Sequence, residues 1–177
     1  MAFTYPHSYR ELQVFLNKLD RKHGCSDKTY LELSPAAGAV TGEAGNAIYY
    51  HRENAVYSCE KRRIDLLTLT GMNGITDERE EKLADLFPAP AAATASTAKP
   101  GSNTLNIRPF KFANKKVIFV SARVHPGETQ SSFVISGMLK FLLRPTDPRA
   151  VALRKKYVFK IIPMLNPDGV HNGHYRY

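Results

Sequence analysis

The residues best suited to chemistry lie in the stretch 117–129, V-I-F-V-S-A-R-V-H-P-G-E-T. His125 and Glu128 stand three positions apart on a turn punctuated by Pro126 and Gly127. A neutral imidazole nitrogen and a carboxylate oxygen are borderline and hard donors, and both suit zinc. Catalytic zinc generally takes three protein ligands and keeps its fourth position for water. A His-x-x-Glu pair can supply two of the three. A metal there would acidify the bound water and polarise a scissile carbonyl. Alone the motif is a weak signal, because it turns up by chance in many chains.

The elements around the pair add weight. Val117, Ile118, Phe119 and Val120 read as a buried strand of a helix-covered sheet. His125 then falls at the carboxyl end of a strand, where open α/β sheets place their sites. Thr129 opens a helix to about Leu143, with Phe133, Val134, Met138, Phe141 and Leu142 as its buried side. Asp147-Pro148 opens another, an N-cap followed by proline at the first helical position. Residues 157–165 read as a second core strand. It ends in Asn166-Pro167-Asp168-Gly169, a turn that Asp168 would fix by bonding the nearby backbone. Strand, helix, helix, strand is the order of a parallel βαβ crossover.

Earlier in the chain, Ser8-Tyr9-Arg10-Glu11 fits a capping box, and Leu12, Phe15, Leu16 and Leu19 follow at helical spacing up to Gly24. Residues 29–33 read as a short strand and 34–46 as loop. Residues 56–59 and 64–70 flank the charged run Glu60-Lys61-Arg62-Arg63 as two strands around a turn. Residues 77–87 read as a short charged helix with Leu83 and Leu86 inward. The low-complexity stretch 88–103, rich in Ala, Pro, Ser and Thr, reads as a surface insertion.

With 177 residues, 43% of them hydrophobic, the chain suits one domain or a piece of a larger one. It has neither an apolar run of about 18 residues nor the basic start and apolar middle of a signal peptide. Cys25 and Cys59, in no C-x-x-C pattern, read as two reduced thiols of an intracellular protein. The net charge of +9 is uneven: from residue 105 onward thirteen Lys and Arg face only Glu128, Asp147 and Asp168. Such a field draws acidic partners. A solvated helix face, the plainer reading, covers Lys140, Arg144 and the run Arg154-Lys155-Lys156. No nucleic-acid-binding module is visible.

Ser121-Ala122-Arg123-Val124-His125-Pro126-Gly127-Glu128 resembles the zinc motif of the cytosolic carboxypeptidases, a branch of the carboxypeptidase A-like metallopeptidases. Pro163-Met164-Leu165-Asn166-Pro167-Asp168-Gly169-Val170 resembles the second signature of that branch, and Phe3-Thr4-Tyr5-Pro6-His7-Ser8-Tyr9 its entry into the peptidase domain. Tyr49-Tyr50-His51-Arg52-Glu53, Ile64-Asp65-Leu66-Leu67-Thr68 and Gly173-His174-Tyr175-Arg176 lean towards one member type within the branch.

The resemblance implies an α/β fold, the N-terminal portion of a carboxypeptidase A-like mixed β-sheet flanked by helices, spanning residues 1–177. It implies a Zn2+ enzyme of the cytoplasm and its microtubules. That enzyme hydrolyses C-terminal or branch-point glutamates of polyglutamylated tubulin or other glutamate-rich tails. His125 and Glu128 become the first two zinc ligands. Arg176 matches the arginine that stabilises the oxyanion and polarises the substrate carbonyl, a task for a permanently charged, directional donor. The Asn-Arg pair for the substrate's terminal carboxylate, the third ligand (a histidine) and the general-base glutamate have no match in these residues. The small β-rich domain that precedes the peptidase domain has none either. His171 and His174, which could be offered as a substitute third ligand, have no metal role in the family pattern; His7, His23 and His51 read as surface or packed residues. Arg123 reads as structural, with a supporting role beside the metal as the alternative. The expectation is a 177-residue chain that by itself is inactive and poorly folded. A non-catalytic module binding tubulin or another acidic partner stays open beside the enzyme, as does, more weakly, a nucleic-acid-bound protein.

Overall fold

The structure, a computed structural model, describes residues 5–24, 46–88 and 108–176. The elements in chain order are α1 (Tyr9–His23), β1 (Ile48–Tyr57), β2 (Arg63–Gly71), β3 (Ile75–Arg79), β4 (Phe110–Phe112) and β5 (Lys116–Ser121). They continue with α2 (Thr129–Leu142), α3 (Pro148–Lys156), β6 (Tyr157–Ile162) and α4 (Pro167–His171). A four-stranded mixed sheet runs β1-β2-β6-β5, and β3 and β4 form a separate antiparallel pair. Among the described residues only β5 and β6 pair in parallel, in register from Lys116 opposite Tyr157 to Ser121 opposite Ile162. The expected crossover through α2 and α3 is therefore present.

The first helix forms as its sequence signals. Ser8 Oγ accepts from the Glu11 amide at 3.1 Å while the Glu11 carboxylate accepts from the Ser8 amide at 2.7 Å. Leu12, Leu16 and Leu19 point inward, and Leu67, Leu69, Phe159, Ile161, Ile135, Leu139 and Leu142 join them in one core. α1 and α2 thus cover the same face of the sheet.

β1 extends far upstream of residues 56–59. Its apolar alternation is masked because three polar side chains are buried in pairs. Tyr50 donates to Asp20 at 3.0 Å, Arg52 meets Asp65 at 3.0 Å and Glu53 meets Arg108 at 2.5 Å. On the opposite face of the sheet Arg108 also reaches Glu80, and Lys160 bonds both Glu80 at 2.6 Å and Thr68 at 2.9 Å.

Several expectations are corrected. Residues 77–87 form no helix: Ile75 pairs with Phe112 and Arg79 with Phe110, and Leu83 and Leu86 are exposed. The inward residue is Phe87, whose amide donates to the Ala55 carbonyl at 2.7 Å and whose ring lies 3.4 Å from the Arg108 guanidinium carbon. A tertiary cation–π contact outweighs the local helical spacing there. The buried stripe of α2 is Thr129, Ser132, Ile135, Leu139 and Leu142, while Phe133 and Val134 are exposed. β5 is the edge strand rather than a buried one, with Val117 and Phe119 about three-fifths exposed, and β6 is central, paired on both sides.

Arg154 is the opposite case. Read as part of a solvated face, it is 0% exposed and donates to the carbonyls of Leu142 at 2.6 Å, Arg144 at 2.9 Å and Pro145 at 3.4 Å. A guanidinium thereby satisfies the orphan carbonyls at the end of α2, where the helix dipole also favours a cation. Residues 29–33 and Cys25 lie outside the described residues, as does the stretch 88–103 apart from Pro88; Cys59 is a free, exposed thiol. Among the described residues no helix is long and apolar enough to cross a membrane.

Candidate metal centre

Parallel pairing continues past the ends of β5 and β6 and aligns the two turns that follow. The Ala122 amide donates to Ile162 at 3.0 Å, the Leu165 amide to Ala122 at 2.9 Å, and the Asn166 amide to Arg123 at 3.0 Å. Asn166 Oδ1 then accepts from the Gly169 amide at 2.9 Å and starts α4, so the second signature forms a short helix rather than a bare turn.

His125 and Glu128 meet directly. Imidazole Nδ1 and carboxylate Oε1 are 2.8 Å apart, with side chains 37% and 42% exposed. Both are open enough to receive a ligand, and both donor types suit zinc, so this pair fits two positions of a zinc site. Among the described residues no group of three or more His, Cys, Asp or Glu side chains is gathered as a metal would need. His171, the last residue of α4, and His174, just beyond it, are both exposed. His7 is half-buried with its ring edge-on to Phe133 at 5.6 Å, and His51 is 3% exposed and stacked on Tyr49.

Arg123 carries the turn from inside. It is 3% exposed and lies in the left-handed region at φ 57. Its guanidinium donates twice to the Pro126 carbonyl, at 3.2 and 2.7 Å, and also to His7 O at 3.0 Å and Ser132 Oγ at 2.8 Å. One side chain thus ties the turn to the N-terminal segment and to α2. Among the described residues no carboxylate pairs with it, and desolvation lowers its pKa. The structural reading of Arg123 holds, and the element it supports is the His125 turn itself. The turn is closed by the Glu128 amide on His125 O at 3.2 Å and by Ser131 Oγ on Glu128 O at 2.7 Å.

Arg176 comes to the same turn through its neighbour. The Gly127 amide donates to Tyr175 O at 2.9 Å, and a Cβ at Gly127 would stand 2.6 Å from Tyr175 Cδ2 and 2.9 Å from Tyr175 O. Gly127→Ala is therefore expected to lift residues 173–176 off the turn and cost about 1–3 kcal/mol in chemical denaturation. Gly137, where an added Cβ meets nothing within 4 Å, is the control. Alanine there should be neutral or stabilise by up to about 1 kcal/mol.

Asp168 does not serve its own turn. Its carboxylate accepts from Ser58 Oγ at 2.7 Å, the Glu60 amide at 3.0 Å and Arg62 at 2.7 Å, clamping α4 to the turn between β1 and β2. Asn172 adds a bond to Glu60 at 2.8 Å. Burial opposes ionisation of Asp168, but these donors outweigh it and hold its pKa below the usual range. Ser58 and Asp168 are 110 positions apart, and no local signal in either stretch announces the pairing.

A family model described as zinc carboxypeptidase matches residues 49–176, most of the chain and all of the turn. The chain belongs to the zinc carboxypeptidase family. It is 48% identical over 175 residues to human cytosolic carboxypeptidase-like protein 5, covering 99% of this chain and 17% of that protein. It is 34% identical over 176 residues to Caenorhabditis elegans cytosolic carboxypeptidase 6, covering 99% of this chain and 25% of that one. The chain thus spans about one-sixth to one-quarter of the length of these curated relatives. The lean of the runs 49–53, 64–68 and 173–176 agrees with the first likeness. Among solved structures, a metallo-carboxypeptidase from Burkholderia cenocepacia superposes with TM-score 0.55 at 21% identity, over 97% of this chain and 30% of that one. That likeness carries the fold: a mixed sheet flanked by helices, part of a carboxypeptidase domain.

Proposed function

We propose that the protein of this zinc carboxypeptidase chain is a cytoplasmic metallocarboxypeptidase that removes glutamates, C-terminal or at branch points, from polyglutamylated tails such as those of tubulin. The observation that carries the proposal is the 2.8 Å approach of His125 Nδ1 and Glu128 Oε1 at the end of β5, in a chain of this family. His125 and Glu128 hold the metal. Zinc, when bound, supplies Lewis acidity to a water and to the scissile carbonyl.

The chain's own groups do the positioning. The buried Arg123 guanidinium fixes the Pro126 carbonyl and with it the direction of the His125 turn. Tyr175, docked on Gly127, brings Arg176 to the rim, where its guanidinium orients the substrate carbonyl by directional donors. Asp168 holds α4 and hence the approach of residues 173–176. The cytosolic naming of the relatives supports the cellular setting.

The reading is tested by incubating the zinc-loaded full-length protein with a peptide bearing a glutamate side-chain branch and with the same peptide carrying neither the branch nor a C-terminal glutamate. Free glutamate should be released from the first and be abolished by a chelator. Release that survives metal removal, or cleavage of both peptides at equal rates, overturns it. Binding to the branched peptide without any release supports instead the non-catalytic module for acidic partners.

A further inference from the structure

The fold separates the positive charge from the metal-binding pair. β5 and β6 run parallel, His125 follows the carboxyl end of β5, and α3 enters β6 at its amino end. Lys116, at the start of β5, lies beside Tyr157, the first residue of β6. Six strand residues at about 3.3 Å each put about 20 Å between that end of the sheet and the His125 turn.

At the far end α2 finishes and α3 begins, and both expose cations. Lys140, Arg144, Arg149, Lys155 and Lys156 are all exposed. On α3 the spacing of Arg149 and Lys156, seven residues, places them on one outward stripe. The acid within this group is Asp147, which is already held by Arg149 at 3.0 Å and Arg144 at 3.3 Å. Its pKa is pushed far down by those bonds, so it stays an ionised partner and adds no switch. The surface is also rigid, because the buried Arg154 side chain pins α3 to the end of α2. The last turn of α1, basic in Arg21, Lys22 and His23, lies near enough for the Arg154 charge to depress the His23 pKa further, after burial and Lys22.

We propose that this cationic end of the α2–α3 pair is a second docking surface for an acidic polypeptide segment, remote from the His125 turn. The catalytic reading does not need these charges, since they lie too far from the turn to line it. An extended acidic segment covers about 3.3 Å per residue, so six or seven residues span the gap between the two sites. A polypeptide is favoured over nucleic acid by the state of the aromatic rings. Phe141 is flanked by the guanidiniums of Arg144 and Arg149, at 5.9 and 5.5 Å from its centroid, and Tyr157 by Lys156 at 5.4 Å. Among the described residues of this surface the two rings already have cations beside them rather than standing clear for bases to stack on, whereas carboxylates need only separate, exposed cations. The inference shares with the proposed reaction the expectation of a glutamate-rich partner, but not the metal.

The test is binding of a fluorescein-labelled deca-glutamate peptide to the full chain by anisotropy in about 0.15 M salt, where surface charges more than about 8 Å apart are screened from each other. The charge-reversed triple K140E/K155E/K156E should bind about tenfold more weakly or worse, and the neutral triple K140Q/K155Q/K156Q should fall between it and the parent. The control triple R10E/K61E/K82E, with the same change in net charge on other exposed positions, should lose less than about threefold. Circular dichroism verifies that each variant folds, and H125A should bind like the parent, which separates this surface from the catalytic reading. Equal losses in the two reversed triples, no binding by the parent, or tighter binding of a ten-nucleotide RNA than of the peptide would overturn the proposal.

Discussion

Asp65→Ala is expected to cost the fold up to about 3–5 kcal/mol, because it removes the more deeply buried of the two carboxylates that balance the buried Arg52 cation, leaving only the part-exposed Asp20. The Asp65 side chain is 2% exposed and the Arg52 side chain 8%. Arg52 places Nε 3.0 Å from Asp65 Oδ1 and one terminal nitrogen 3.0 Å from Oδ2, and its other nitrogen reaches Asp20 at 2.8 Å and Asn17 at 2.9 Å. Gln13 of α1 donates to the same carboxylate at 2.8 Å and Arg63 adds an outer bond at 2.8 Å. The network therefore joins α1 to β1 and β2 through charges that water no longer solvates. Chemical denaturation of the parent and variant reads the loss. The double variant R52M/D65L should recover a large part of it, since replacing both members of a buried pair by apolar groups is often close to neutral. A double variant as unstable as the single one would mean that shape, not charge pairing, sets the cost.

The same pair sets an acid limit. Burial alone would raise the Asp65 pKa, but the Arg52 charge and the bonds from Arg52, Arg63 and Gln13 outweigh it, and the folded value lies below the ordinary one. A depressed folded pKa contributes stability that is present above the unfolded value, about pH 3.9, and is lost as pH falls through the folded value. Denaturation midpoints of the parent should thus fall with acid below about pH 4, and those of the R52M/D65L variant should fall less over that window.

His125→Ala is expected to lower zinc affinity by more than the roughly 10–100-fold that losing an outer partner of a metal ligand costs. The imidazole is one of two donors that meet at the end of β5, and its partner there is Glu128. Because its side chain is 37% exposed, removing it should change the stability of the metal-free protein by no more than about 0.5 kcal/mol. Zinc content after dialysis, set beside the melting temperature of the metal-free protein, separates the two effects. A melting temperature that falls along with the zinc would make His125 a structural residue. Unchanged zinc content would remove it from the ligand set. Glutamate release should follow the zinc.

Much of this molecule is written in local patterns. The capping box at Ser8 and the Asp147-Pro148 helix start are each encoded within a few neighbouring residues, where capping chemistry acts directly, and the β5–β6 crossover follows from the order of strand and helix periods along the chain. The meeting of His125 and Glu128 is equally legible, since side chains three positions apart on a strand-to-helix turn need only that turn to come together. Length and direction of burial were harder. β1 hid behind its own buried charges, and residues 77–87 carried a helical spacing that the Phe87–Arg108 contact overrode. The buried side of α2 shares only Leu142 with the expected one, because the stripe that faces the sheet runs through Thr129 and Ser132, the latter bound to Arg123, to Ile135, Leu139 and Leu142.

By itself, then, the sequence determined the donor types of the His125–Glu128 pair, the family and the order of elements that presents the pair at a strand end. The tertiary structure alone decided what holds the pair in place. Arg123 under Pro126, Tyr175 against Gly127 and Asp168 on Ser58 are contacts between segments up to 110 positions apart. It also decided where the positive charge sits, burying Arg154 under the end of α2 and leaving its neighbours exposed at the opposite end of the sheet. The reason is physical: ligand type and helical period are properties of neighbours in the chain. Desolvation, by contrast, and the partners that offset it depend on which distant backbone carbonyls and carboxylates the fold brings together.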